Sequence, residues 1–565
     1  MSPEAAPAKP SFRKSRSAIL LCAGIIIIGV IISYHNSFSV PFIYDDRQAI
    51  LENPTIKQLS PSVLTPPPES SAGGRPLVNL SLAINYALGG TSVEGYHLLN
   101  ILIHIFAGLA LFGIVRRTLQ QPVLNEHFKN AELPLALLVA IFWTLHPLQT
   151  EAVTYTIQRA ESMMAMFYLL ALYCFIRGTG RSATPIWYAL SILACLLGMA
   201  SKEVMVSAPL IILLYDRTFV AGSFKEALSK RSRVYAGLAA TWLLLIYLVV
   251  ATGGNRSGAV GFNVGISWWA YALTQCKAIA RYLWLSIWPR GLIFEYGRFW
   301  FDDVLQVVPY ALVVIPLVAG TIAALWRWPV LGFAGFWFFS ILAPTSLLPG
   351  TTQMIVEHRM YLALAPVIAV IVLGGYHLAK RHHLAFYLTS AVSLVLVIVL
   401  GLLTSLRNED YGSRLAIWSD TVAKRPKNAV AHNNLALALS DVGRLEDSIK
   451  ENEIALQIRP NYPEAQYDLG STLAQMGRIA EALPHFEAAV RLSPGFAKAH
   501  NNLGTALFMM GRGPEAVVEY TKALRIKPDY EEARINLERV RATVEMQSSS
   551  PQEATYSDDK LSGSQ

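Results

Sequence analysis

Two adjacent carboxylates, Asp45 and Asp46, stand a few residues beyond the first apolar run of this 565-residue chain. Paired acids at a membrane–water boundary are costly when desolvated and need hydrogen-bond donors. The chemical use of such a pair is a general base, with its neighbour orienting it or binding a cation. The plain alternative is a solvated turn. Further polar groups recur at the ends of later apolar runs. HPLQTEAVTYTIQRAESMM carries His146, Glu151, Arg159 and Glu161; SKE carries Lys202 and Glu203; VEHRMYL carries Glu357, His358 and Arg359. Alternating crossings bring all of them to the face that holds Asp45 and Asp46. Acids and bases converging on one side of an apolar bundle make a site hypothesis by default. Helix-end snorkelling and interhelical ion pairs are the bland reading of the same residues. His97, Asn100 and His104 form one stripe of the second span. Such a stripe serves to bond neighbouring helices, and with no third ligand it argues against a metal.

The elements that must position these groups are membrane helices. Hydrophobic residues make up 53% of the chain and charged residues 15%, against about 25% charged in a soluble domain. Mean hydropathy is +0.38. That excludes a disordered chain and a purely soluble enzyme. The net charge of +8 does not point to nucleic acid, because the basic residues lie in short clusters between apolar runs, as positive-inside loops place them. The four cysteines, Cys22, Cys174, Cys195 and Cys276, form no CxxC pair.

Residues 1–17 form a basic tail, expected to be cytoplasmic. Ala18 to Ser33 reads as an uncleaved first helix, since no A-x-A-like cleavage site follows. Further apolar runs lie at 96–115, 133–147, 160–177, 186–199, 204–219, 234–252, 307–326, 330–348, 361–379 and 385–406, about eleven crossings in all. The basic clusters at Arg116-Arg117, Arg177 with Arg181, Lys225 to Arg233, Arg327 and Lys380-Arg381 then fall on one side. Segment 267–288, rich in Trp and carrying Lys277 and Arg281 on one face, reads as a helix on the outer surface or re-entering the membrane; a twelfth crossing is the alternative. The first outer loop, 35–95, is long enough to be functional.

The composition changes abruptly at about 408. Ala431, Ala465 and Ala499 are 34 residues apart, as are Gly443, Gly477 and Gly511, and Pro426, Pro460, Pro494 and Pro528. A 34-residue helix–turn–helix period ending in Pro is the tetratricopeptide pattern. Three repeats follow a half-repeat around Ile417-Trp418 and precede a capping helix after Asp529. The expected domains are thus a transmembrane domain at 18–407, a repeat domain at 408–546 and a disordered tail at 547–565.

FIYDD with a following Asn-Pro, GRPLVNLSLAINYALGG, GYHLLNILIHIFAGLALF, HPLQTEAVTYTIQRAES, ASKEVM and VEHRMYLALAP together resemble the transmembrane and tetratricopeptide-repeat O-mannosyltransferases. More broadly the chain is similar to the C-type glycosyltransferase superfamily. The bare N-terminus and compact repeat array look like those of a bacterial relative. The resemblance implies an all-α fold: a polytopic helical membrane bundle of C-type architecture followed by a tetratricopeptide-repeat solenoid. It implies transfer of a monosaccharide, mannose by the relatives, from a polyprenyl-phosphate donor to a hydroxyl acceptor such as protein Ser/Thr, at the outer face. Asp45 maps onto the family's catalytic base, with Asp46 as its partner, and Arg75 of GRPL onto an important loop arginine. The family's other patterns map onto His146, Glu151, Arg159, Glu161, Lys202, Glu203, Glu357, Arg359 and Tyr361.

Chemistry fits these types. A lipid-phosphate leaving group calls for cations, with Arg75, Arg159, Lys202 and Arg359 as candidates. A single displacement would invert the anomeric centre. The acid pair holding a divalent metal is an alternative, weakly signalled by two acids alone. The repeats would bind a protein or peptide acceptor in a concave groove lined by Asn433, Asn434, Asn501 and Asn502, residues that ordinary repeat consensus also explains. The localisation implied is a bacterial inner membrane, N-terminus cytoplasmic and repeats extracytoplasmic. Two other classes compete: a membrane-anchored repeat scaffold without activity, and a lipid-linked sugar transporter. A scaffold would tolerate loss of the acids; a transporter would need polar residues through the bundle core.

Overall fold

The computed structural model describes residues 16–67, 70–180, 184–253, 267–297, 299–301, 303–347 and 354–549, and these contain helices and no strand. Most of the basic tail, Arg181 and residues 550–565 of the tail lie outside the described residues. The chain divides into two units, Met1–Lys424 and Arg425–Gln565. Hydrophobicity ends near 408, but the division falls later because α16 (Arg414–Lys424) packs into the first unit through Trp418, whose ring meets Tyr44 and Phe294 edge-on.

In the first unit, α1 (Arg16–Ser33) leads into a loop of short helical turns. The amphipathic α2 (Pro76–Gly89) follows, then α3 (Val93–Leu119), a short α4 (Pro122–Phe128), α5 (Glu132–Thr144) and α6 (Thr150–Thr154). Next come α7 (Arg159–Gly178), α8 (Pro185–Met199), α9 (Ala208–Tyr215), α10 (Phe224–Ala251) and α11 (Trp268–Ile287). The unit closes with α12 (Val308–Arg327), α13 (Pro329–Leu347), α14 (Met360–Arg381), α15 (Phe386–Asp410) and α16.

Among the described residues eight helices are long and apolar enough to cross a membrane, and nine if the pair Glu132–Thr144 and Pro147–Thr154, bent by 53°, is one span. The chain is therefore a multi-pass membrane protein. Every run read from the sequence is helical in its described residues, but three are not single full-length spans. Run 133–147 is the bent pair. The α8 helix has only 15 residues. Run 204–219 is divided into a 3-10 turn at Glu203–Ser207, α9, and a π turn at Asp216–Val220, where Pro209 interrupts the ladder and Asp216 turns inward to Arg231.

The bend between α5 and α6 has a local cause. Pro147 brings no N–H, and His146 Nδ1 instead accepts the Leu148 N–H at 3.2 Å. It carries Gln149, Thr150 and Glu151 into the interior. The α11 helix settles the choice left open by the sequence. Near its start, Trp268 Nε1 and the Tyr271 hydroxyl donate to the Leu347 and Thr345 carbonyls at the end of α13. Near its end, His146 Nε2 donates to the Ser286 carbonyl at 3.3 Å. Both ends thus meet the same side of the bundle, and Trp268, Trp269, Trp284 and Trp288 stay exposed. The helix lies along that face.

In the second unit, α17 (Ala429–Asp441) pairs with α18 (Leu445–Ile458), α19 (Pro463–Gln475) with α20 (Ile479–Leu492), and α21 (Ala497–Met509) with α22 (Gly513–Ile526). The last helix, α23 (Glu531–Ser549), follows. Between partners, Gly443, Gly477 and Gly511 take φ of 78°, 77° and 79°, the left-handed turn that favours glycine.

The helices of the bundle approach closely. A Cβ on Gly108 of α3 would lie 2.5 Å from Thr144 Cγ2, and Thr144 cannot readily turn because its hydroxyl donates to Ala140 O at 2.9 Å. Gly108→Val should therefore cost about 1–3 kcal/mol by overpacking, read as a lower thermal unfolding midpoint in detergent.

Candidate active site

The site is built on the turn after α1. Asp46 is fully buried. Its Oδ2 accepts the Ile43 N–H at 3.0 Å and its Oδ1 the Ile157 N–H at 2.7 Å. One carboxylate thus closes its own turn and ties that turn to the segment before α7. Asp45 is half-buried. Its N–H donates to the Tyr155 hydroxyl at 2.8 Å, and the groups beside its carboxylate are that same hydroxyl and Arg75. Tyr44, just before the pair, has φ of 45°, a conformation costing a non-glycine residue about 1–3 kcal/mol. Its ring is held by Phe294 and Trp418 at centroid distances of 6.1 and 5.5 Å.

The two acids differ electrostatically. Burial pushes the Asp45 carboxyl up to about 6, while the Tyr155 hydroxyl and the Arg75 guanidinium pull it back. Burial pushes Asp46 further, to about 8, against the two N–H donors, with the Asp45 charge adding to the rise. Asp45 is the member that ionises first and the one within reach of another molecule.

The long loop after α1 is pinned beneath this turn. Asn53 Nδ2 donates to Ala49 O and to Asn79 Oδ1 on α2 at 3.1 and 2.9 Å. Asn79 Nδ2 in turn donates to Thr55 Oγ1 and Val63 O. Arg75, at the start of α2, donates to Ser71 O at 2.9 Å and lies 3.9 Å from Glu203. Glu203 follows Lys202, whose ammonium is buried against Glu161.

Glu151, placed by the Pro147 bend, accepts the His358 N–H at 2.9 Å and its Nδ1–H at 2.8 Å. Glu357 accepts the Ile293 N–H and the Tyr296 hydroxyl, both at 2.7 Å. Arg359 contacts Met354 O at 3.5 Å and lies by Tyr271 and Tyr282 of α11. The charges acting on His358 are those of Lys202, Glu161, Arg359 and Arg75. The structure therefore gathers Asp45, Arg75, Glu151, Glu161, Lys202, Glu203, Glu357, His358 and Arg359 at one end of the bundle.

Three mapped residues, Arg159, His146 and Tyr361, sit apart from this opening. Arg159 is fully buried: Nε donates to Asn100 Oδ1 at 2.6 Å, Nη1 to Asn85 Oδ1 at 2.7 Å and Ser81 Oγ at 3.2 Å, and Nη2 to Tyr96 O at 2.8 Å. It braces α2, α3 and α7. His146 caps the bend described above. The stripe on α3 behaves as interhelical glue: His97 donates to Val40 O, Asn100 to Val153 O, and His104 to Thr144 O while accepting from the Tyr361 hydroxyl.

In the repeat unit, Asn433 and Asn501 are buried. Asn433 donates to Asn452 and Asp468, and Asn501 to Glu532. Asn434 donates to Val430 O in its own helix. Asn502 reaches Tyr467 Oη at 3.2 Å on the preceding repeat. Asn434 and Asn502 are half-exposed.

Tyr155, the 292–296 segment and Arg407 were not singled out from the sequence. Arg407 is the one with a signal: on the crossings expected from the sequence it is a basic residue outside, against the positive-inside pattern. Its Nη1 pairs with Asp410 and Asp420 at 2.8 and 3.1 Å. Among the described residues, no three His, Cys, Asp or Glu side chains converge as metal ligands. With both oxygens engaged by N–H donors, Asp46 is poorly set to chelate one with Asp45.

Residues 467–531 match the tetratricopeptide repeat family. Over 487 residues, 80% of this chain, 24% are identical to protein O-mannosyl-transferase F38B6.6 of Caenorhabditis elegans. The chain resembles protein O-mannosyl-transferases over most of its length. Protein O-mannosyl-transferase TMTC4 of Mus musculus is likewise 24% identical over 75% of the chain. The chain spans 64% and 65% of the lengths of these two relatives. Among solved structures, TTC0263, a thermophilic tetratricopeptide-repeat protein in Thermus thermophilus, covers 32% of this chain and 93% of its own, at 20% identity and a TM-score of 0.22.

The two acids should separate in a stability measurement. Asp46→Asn turns an amide NH2 toward a buried N–H and should cost about 1–3 kcal/mol. Asp45→Asn should leave the thermal unfolding midpoint in detergent nearly unchanged.

Proposed function

We propose that this chain is an integral-membrane glycosyltransferase acting on protein. It moves a monosaccharide, mannose by analogy with its relatives' names, from a polyprenyl-phosphate donor to a Ser/Thr hydroxyl on the extracytoplasmic face. The observation that carries this reading is the inequality of the acid pair: Asp46 is locked by two backbone donors, while Asp45 is half-exposed beside Arg75.

In this mechanism the acceptor oxygen attacks the anomeric carbon while Asp45 takes its proton. The bond from that carbon to the phosphate oxygen breaks, and the polyprenyl phosphate leaves with the electron pair. Inversion follows from the single displacement. Arg75 and Arg359 are the cations at this end best suited to the leaving charge, because guanidinium meets phosphate with two parallel bonds. Lys202 is already paired with Glu161 and acts through the site's field. A polyprenyl tail stays in the bilayer while its phosphate reaches the membrane edge, where Asp45 stands. The repeats present the acceptor polypeptide, with Asn434 and Asn502 as the half-exposed members of the proposed groove.

The test uses purified protein in nanodiscs, a panel of polyprenyl-phosphate sugars and Ser/Thr-rich peptides, with transfer followed by mass spectrometry. Asp45→Asn should lower turnover by about 10²–10⁴-fold while the protein stays folded. Because the Asp45 pKa is raised to about 6, the base form is lost as pH falls through that value. Turnover should therefore drop below about pH 6 and level off above it. Transfer by Asp45→Asn at the wild-type rate would place the base elsewhere. Absence of transfer from every donor would favour a scaffold or a transporter.

A further inference from the structure

At the end of the bundle opposite Asp45, the last turns of α3 and α7 bring three guanidinium groups together. Arg116 and Arg117 end α3 and Arg177 ends α7. Arg177 Nη1 donates to the Tyr173 hydroxyl at 3.3 Å, and the Arg117 guanidinium lies 5.7 Å from the centre of the same ring. Arg177 also stacks on Trp187 at 4.2 Å. Arg117 and Arg177 are the positive charges acting on Arg116. All three side chains are half-buried.

Two neighbouring basic residues at this end are paired with acids. Arg231 forms a two-oxygen pair with Asp216 at 3.0 and 2.9 Å, and Lys230 pairs with Glu226. Arg116, Arg117 and Arg177 have no carboxylate partner among the described residues. The Nε atoms of Arg116 and Arg117 are buried with no hydrogen-bond partner. Two helix C-termini supply about half a negative charge each, so about two of the three positive charges stay uncompensated. Positive-inside placement accounts for basic residues at this end. It does not account for guanidinium groups that converge on one tyrosine with two buried, unbonded Nε atoms and no acid among them.

We propose that Arg116, Arg117 and Arg177 hold the phosphate of an anionic phospholipid from the leaflet at that end of the bundle. The guanidinium forks suit phosphate oxygens. Tyr173 and Trp187 hold the forks in place, and the headgroup lies where helices of this length leave the hydrocarbon. Arg159 and Arg177 mark the two ends of α7, about 27 Å apart at 1.5 Å per residue, so this site is separate from the transfer site.

The test is native mass spectrometry of the full chain, taken from nanodiscs of mixed phosphatidylglycerol and phosphatidylcholine into mild detergent. Wild type should retain phosphatidylglycerol in preference to phosphatidylcholine. The double substitution Arg117→Gln and Arg177→Gln should lower that preference by about thirtyfold, two surface cations' worth. Lys230→Gln, an exposed paired cation at the same end, should leave it intact. Should the double variant fail to fold, Arg116→Gln alone carries the test, because it removes no aromatic stack, and a preference several-fold weaker is the expected result. Equal retention of both lipids by wild type overturns the proposal, as does a preference that survives the substitutions. Displacement of the lipid by inorganic phosphate also overturns it, because that marks a site for a soluble anion.

Discussion

The arrangement around Asp45 depends on one buried guanidinium. Arg159 binds acceptors on α2 and α3 from the first residue of α7. That fixes the start of α7 and, two residues earlier, the Ile157 N–H. Asp46 accepts that N–H, so the turn that aims Asp45 is registered against three helices. A buried charge needs its acceptors satisfied, and removing one member of such a set is strongly destabilising. Arg159 therefore shapes the site without standing in it. That separates it from Arg75, which lies at the opening beside the acid.

Much of this was legible in the sequence because the signals are periodic or compositional. The apolar runs mark the spans, the 34-residue spacing of Gly443, Gly477 and Gly511 marks the repeat turns, and polar residues at run ends mark the site face. Less legible was whatever depends on partners far along the chain. Nothing in a run of residues says that Arg159 faces inward to Asn85 and Asn100 while Arg75 faces the opening; both are arginines near a membrane edge. Nor does it say which of two adjacent aspartates closes the turn. The backbone decides that, through the two N–H groups that meet Asp46. The boundary at 408 followed hydropathy, whereas the division after Lys424 follows the packing of Trp418 on Tyr44 and Phe294.

Glu151 and Glu357 illustrate how long-range pairing organises the opening. Each carboxylate takes a backbone N–H from a segment far away in sequence. The 292–296 segment is thereby held over the site by the start of the α14 region, and the α5–α6 bend by His358. Acids that look like candidates for proton transfer are also the fasteners of the loops around it. Their substitution would disturb geometry and chemistry together, which leaves Asp45, tied only through its backbone N–H and its neighbours Tyr155 and Arg75, as the acid whose chemistry can be varied alone.

A chain that threads a sheet of lipid changes sides with each full crossing, so its topology obeys a parity rule. The α11 helix has the length of a crossing, yet both its ends bond to the same side of the bundle. It adds 20 residues and no change of sign. Hydropathy alone would count such a helix either way, and one miscount inverts the assigned side of every later loop in the membrane unit. The bonds to the Leu347 and Ser286 carbonyls mark where the two ends of α11 lie, at the end of the bundle that also holds the 292–296 segment and the Glu357–Arg359 turn.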